Sequence, residues 1–189
     1  MVRRNPFSIG EQSHGNVFSR RSVSLLPSER IAMKLKTKRS LKEGRSCLLA
    51  DVENLVGKAL ITPMDAFRAA FQVRKLIKPS ARDLAIIATG KANALAAHVG
   101  WPGGEHRFKA GKDGADIVLV KEILEGNLPE RFETVVIASG DHAFAPFAEY
   151  LMKKGTNVVI VSLEGSLSRD LKSLGCEIRL IKKDYELAS

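Results

Sequence analysis

At 189 residues the chain suits a single domain with a modest extension, and its 44% apolar content is enough to bury a sizeable core. No apolar run approaches the length of a bilayer span and no secretory apolar segment stands near the start, so membrane-spanning and secreted classes are set aside. The formal charge of +9 is unevenly placed: through Arg45 eleven Lys and Arg face three Glu, whereas nineteen bases face eighteen acids in the remainder.

Residues 1–45 therefore read as a basic, disordered arm rather than as part of the fold, with Gly10, Gly15, Pro27 and scattered serines but no sustained period. Such an arm attracts phosphates by neutralising them and releasing counterions. An organelle transit peptide is the competing reading of this Arg- and Ser-rich stretch; Glu11, Glu29 and two prolines argue against it. The domain, residues 46–189, opens with the apolar run Cys47–Ala50, a buried strand ending on Asp51. Thr62-Pro63-Met64-Asp65 starts a helix, with a capping hydroxyl, proline in the first turn and an acid near the positive end of the dipole. That helix runs to Ile77, ahead of Pro79.

Leu84–Ala88 is the next strand, followed by a helix over Ala92–His98, a turn at Trp101–Gly104 and a weaker strand at Glu105–Lys109. Asp113–Glu125 has helical spacing, Glu133–Ala138 is a strand, and Phe144, Phe147, Ala148, Leu151 and Met152 mark an amphipathic helix that Gly155 ends. Asn157–Ser162 is a strand, Leu167, Leu171 and Leu174 stripe a last helix, and Glu177–Ile181 is a last strand. Continuous Val/Ile/Leu strands alternating with helices predict an α/β fold: a doubly wound, Rossmann-like parallel sheet with helices on both faces. Cys47 and Cys176 sit in apolar strand-like runs and read as buried free thiols in a reducing cytoplasm.

In such sheets ligands bind beyond the carboxyl ends of the strands, where the strand order reverses. Asp51 follows the first strand and Ser139-Gly140-Asp141 the fourth; in a 3-2-1-4-5 order these strands are neighbours and both carboxylates face one crevice. Lys112-Asp113-Gly114-Ala115-Asp116 adds further acids at the start of a helix, where Asp113 or Asp116 could equally serve as a cap and a first-turn charge. Two carboxylates about 5 Å apart repel by roughly 3 kcal/mol at an effective dielectric near 20. Three in one crevice call for protons or a cation, and Mg²⁺ or Mn²⁺ suits carboxylate oxygens plus water. His98, His106 and His142 are scattered and make no zinc spacing.

These segments resemble the NYN domain family of the PIN-like nuclease superfamily. Its Asp-x-x-Asn, Lys-x-x-x-Asp and Ser-Gly-Asp motifs are here Asp51 with Asn54, Lys112 with Asp116, and Ser139-Gly140-Asp141. The resemblance spans about Ser46 to Ile181 and implies a Rossmann-like fold, a Mg²⁺ or Mn²⁺ site and RNA hydrolysis. It implies that Asp51, Asp116 and Asp141 hold the metal, that Asn54 orients the first ligand loop and that Ser139 supports the site. Many members carry a further acid where this chain has Lys121, and another where it has Ala143; Glu53, Asp113 and Glu122 are the acids that could compensate.

The resulting expectation is a metal-dependent ribonuclease, an endonuclease, with RNA as partner and no membrane association. Lys112 and Lys121 are the expected contacts to substrate phosphate. The alternative is a catalytically weak or inactive RNA-binding regulatory module on the same fold, which Lys121 and Ala143 favour. A small-molecule binder lacks a glycine-rich phosphate loop after the first strand. Homo-oligomerisation is left open.

Overall fold

The computed structural model describes residues 42–182, so the arm, apart from its last four residues, lies outside the described residues. Those four lie against the domain: the Gly44 N–H donates to the Glu133 carboxylate, and the Arg45 carbonyl accepts the N–H groups of Glu133 and Thr134.

Six strands form one sheet: β1 (Ser46–Asp51), β2 (Leu84–Gly90), β3 (Glu105–Lys109), β4 (Thr134–Ala138), β5 (Asn157–Leu163) and β6 (Glu177–Ile181). Their order is β3-β2-β1-β4-β5-β6 and every pairing is parallel. This is the expected doubly wound α/β sheet, extended by β6 on the far edge. Helices occupy both faces because the central strands are apolar on both sides. On one face Leu49, Ile86, Leu119, Ile137 and Phe144 are buried; on the other Leu48, Ile87, Val73, Trp101 and Val161 are. The edge strand β3, Glu-His-Arg-Phe-Lys, is mostly exposed, which accounts for its weak apolar signal.

The connections supply α1 (Val52–Val56), α2 (Pro63–Ile77), α3 (Ala94–Gly100), α4 (Gly114–Glu125), α5 (Leu128–Arg131), α6 (Ala145–Lys153) and α7 (Arg169–Ser173). The α2 start is built as its sequence predicts: the Thr62 hydroxyl accepts the Asp65 N–H at 3.2 Å, and the Asp65 carboxylate accepts the Thr62 N–H at 3.0 Å. Two short helices, α1 and α5, were not expected, since four or five residues carry too little periodicity to read. Asp113 departs from the expected cap: it stands at the N-cap place of α4 with a left-handed φ of 56°, and its side chain makes no capping bond. Cys47 is buried, and burial pushes its thiol up to about 12; Cys176 is half-buried and also raised, and both are free thiols. Among the described residues no helix is long and apolar enough to cross a membrane.

Candidate active site

The first and fourth strands are adjacent, with Ala50 level with Ala138, so Asp51 and Ser139 leave the sheet side by side. Asp51 is the last residue of β1 and caps α1, its Oδ1 accepting the Asn54 N–H at 3.2 Å. Asn54 in turn holds the end of β4, because its Oδ1 accepts the Gly140 N–H at 2.8 Å. The buried Ser139 hydroxyl lies 3.5 Å from Asp51 Oδ2 and accepts the Asp141 N–H at 3.2 Å. Gly140 is required between them: a Cβ there would overlap the Ser162 hydroxyl and the Ser166 carbonyl, and the Ser168 N–H closes the loop onto the Gly140 carbonyl at 2.9 Å.

Asp116 arrives from the other side on the first turn of α4. That helix lies close over the end of β3, where a Cβ on Gly114 would overlap the Lys109 carbonyl. Its approach brings Asp116 to the cleft wall that Asp51 also lines, close enough for the Asp116 charge to oppose ionisation of Asp51. The Asp51 carboxyl is pushed up to about 7, chiefly by burial and further by the charges of Asp116 and Glu53. Burial also raises Asp116, to about 6, with the charges of Asp141 and Asp113 adding to it. Asp116 Oδ1 is buried without a hydrogen-bond partner. Asp141 is more open. Its Oδ1 accepts the Ala143 N–H at 2.9 Å and lies 3.0 Å from Nδ1 of the exposed His142.

Beside this pair lies a cleft of about 920 Å³, lined by Asp51, Glu53, Asn93, Lys91, Lys112 and Asp116 among others. Glu53 is the acid the cleft gains. Its Oε1 accepts the Gly90 N–H at 2.8 Å and the Asn93 amide at 2.6 Å, fixing the carboxylate between β1 and β2. Asn93, only 3% exposed, also donates to the Ala59 carbonyl and accepts the Ile61 N–H, so it anchors the α1–α2 loop to the cleft wall. Lys91 and Asn93 were not singled out from the sequence; the signal was their place just past the carboxyl end of β2. A second cavity, of about 340 Å³, lies at the opposite ends of the strands. Its carboxylates are engaged: Asp83 accepts the N–H groups of Ser46 and Ser80, and Glu177 pairs with Arg179.

Of the expected site residues, Asp51, Asp116, Asn54 and Lys112 line the cleft, Ser139 stands behind Asp51, and Asp141 acts on Asp116 through its charge. Lys121 does not join them. It is exposed on α4 and pairs with Glu125 at 3.7 Å, because five residues of helix turn it about 140° away from Asp116. Glu122 is likewise engaged elsewhere, with Arg107 at 3.5 Å.

A divalent cation suits this donor set: hard carboxylate oxygens from Asp51 and Asp116 on one cleft wall, with Asp116 Oδ1 buried without a hydrogen-bond partner. Among the described residues no three His, Cys, Asp or Glu side chains stand close enough to enclose an ion without help from water or substrate. Mg²⁺, which keeps several waters and takes one or two carboxylates, is compatible with such an open arrangement.

No curated protein and no solved structure matches the chain. The family model for the NYN domain matches residues 45–175, which is more than half of the chain and carries every motif residue above. The chain belongs to the NYN domain family of PIN-like nucleases.

Proposed function

We propose that the protein is a metal-dependent ribonuclease that hydrolyses RNA phosphodiester bonds internally, at the cleft lined by Asp51 and Asp116, with Asp141 beside it. The observation that carries the reading is the Asp51–Asp116 pair: two carboxyl groups on one cleft wall where burial opposes their charge, with Asp116 Oδ1 unpartnered. A fold keeps so unfavourable a pair where a cation or a proton is used there. Asp51 and Asp116 would hold Mg²⁺ or Mn²⁺, with Asp141 completing the site through a bound water, and the ion when bound polarises a phosphate oxygen and acidifies a water.

The remaining residues act on the strand and on the carboxylates. Asn54 and Ser139 fix the β1 and β4 ends, so Asp51 and Asp141 meet the phosphate without having to reorganise. Glu53, held by Gly90 and Asn93, adds negative charge at the cleft wall and would strengthen the cleft's attraction for a cation. Lys112 and Lys91 at the rim neutralise flanking phosphates and read no base, so sequence preference is weak. The openness of the donor set favours a second reading, an RNA-binding module of this family without turnover. The two are separated by incubating the full-length chain with an unstructured RNA in Mn²⁺ and in excess chelator. The nuclease reading requires internal cleavage in Mn²⁺ alone; binding without cleavage in either condition would replace it with the second.

A further inference from the structure

The cavity of about 340 Å³ lies where α2 stops: Ile77 and Pro79 line it, and Lys78 between them takes a left-handed φ of 49°. Its rim carries the first residues of five strands, Ser46, Leu84, Thr134, Asn157 and Glu177. Its floor is one level row across four parallel strands: Ala85 beside Leu48, Leu48 beside Val136, and Val136 beside Val159. At about 4.8 Å between strands the row is about 14 Å wide and holds no polar side chain. The buried Trp101, just past α3, adds a further apolar wall.

Two arginines fix these walls in place. Arg179 on β6 donates through Nη1 to the Leu76 carbonyl at 2.8 Å and through Nε to Glu177 at 2.7 Å, tying the last turn of α2 to the sheet. Arg74 donates to the Pro102 carbonyl, tying α2 to the turn before β3.

We propose that this cavity is a second ligand site, for a small monoanion with an apolar body, such as an aromatic carboxylate or sulfonate. Three observations select that class. The first is size and lining: the volume lies within the range of small-molecule sites, which join apolar surface to a small number of fixed polar groups. The second is charge. Both acids on the walls are satisfied, since Asp83 accepts the Ser46 and Ser80 N–H groups, each at 2.7 Å, and Glu177 is paired with Arg179. The half-buried Arg74 is in no ion pair among the described residues, and its bond to Pro102 uses one of five guanidinium donors. The uncompensated charge is therefore positive, and a cation finds no free carboxylate. The third is the α2 end itself. The carbonyls that would repel an anion there are taken, that of Arg74 by the Lys78 N–H and that of Leu76 by Arg179. The length of β1 separates Ser46 at this cavity from Asp51 at the cleft, so a ligand here would leave the cleft open to RNA.

The test titrates the full-length chain, by fluorescence, with anilinonaphthalene sulfonate, an aromatic monoanion, and with phenylnaphthylamine as its uncharged counterpart. The expected result is one saturable sulfonate site per chain. Arg74→Met keeps an apolar stem and removes the charge; it is expected to weaken the sulfonate about tenfold and to leave the uncharged dye within about twofold. Val159→Phe, which fills the floor, is expected to weaken both dyes by about tenfold or more. Arg68→Met, at an exposed position earlier on α2, is the control expected to change neither. Arg74 stands at a half-buried position, so Arg74→Met decides the matter even where Val159→Phe disturbs the core. A wild-type chain without saturable sulfonate binding, or binding that Arg74→Met leaves unchanged, overturns the proposal. The cleavage test above can fail while this one succeeds, and the reverse.

Discussion

Replacing Asp51 with asparagine removes one charge from the buried pair while keeping the cap, since an amide oxygen can still accept the Asn54 N–H. In the native fold the Asp51 carboxyl is raised from 3.8 to about 7. Between those values the folded chain holds a proton that the unfolded chain has given up, so metal-free stability falls as pH rises from about 4 to 7. Three units at 1.36 kcal/mol each set an upper bound of about 4 kcal/mol on the strain above pH 7. The two carboxyl groups titrate as a pair and Asp116 keeps its own charge, so about half of this, roughly 2 kcal/mol, should be recovered. For a domain of this size that is a rise of about 6–8 °C in melting temperature. The assay is thermal unfolding in excess chelator at about pH 8 and about pH 5, with the variant's advantage present at the higher pH and small at the lower. Added Mn²⁺ should stabilise the wild type and leave the variant largely unmoved. A variant that melts below the wild type at the higher pH, or that keeps the wild-type pH dependence, would refute the argument.

Three further outcomes follow from the same geometry. Lys112→Ala should weaken RNA binding several-fold, whereas Lys121→Ala, whose parent side chain pairs with Glu125 away from the cleft, should leave it within about twofold; fluorescence anisotropy with a labelled RNA reads both. Gly140→Ala should lower stability by about 1–3 kcal/mol in a chemical denaturation curve, because the new Cβ meets the Ser166 carbonyl, which is backbone and cannot swing aside. Removing residues 1–41, which carry nine Lys and Arg against two Glu, should flatten the dependence of RNA affinity on salt while melting temperature holds. The slope should fall by about 0.7 for each phosphate that the shortened chain leaves unneutralised.

The sheet was legible because its strands are continuous apolar runs that stop on polar residues; Cys47–Ala50 before Asp51 and Val135–Ala138 before Ser139 are the clearest. Their adjacency came from the handedness of the crossovers, and with it the convergence of Asp51 and Asp141 on one edge. What sequence could not supply was the third dimension of each site residue. Lys121 looked like a replacement for an acid in a linear motif, yet its place on the α4 helix turns it to solvent. Glu53 looked like one charge among several, and only its bonds to Gly90 and Asn93 make it part of the wall. The α2 start was readable from its capping chemistry, but Phe67 and Phe71 read as ordinary helix residues until the packing showed alanines filling the inner face.

The central claim is that these aspartates perform metal-dependent cleavage, and the most direct measurement compares wild type and Asp141→Asn on one RNA at one Mn²⁺ concentration. Asp141 is half-buried, and its contact to the Ala143 N–H survives in asparagine, so the variant should fold as the wild type does. The account predicts that its single-turnover cleavage rate falls by about a hundredfold or more, to the level of the wild type in chelator. Cleavage at the wild-type rate by the folded variant would contradict it.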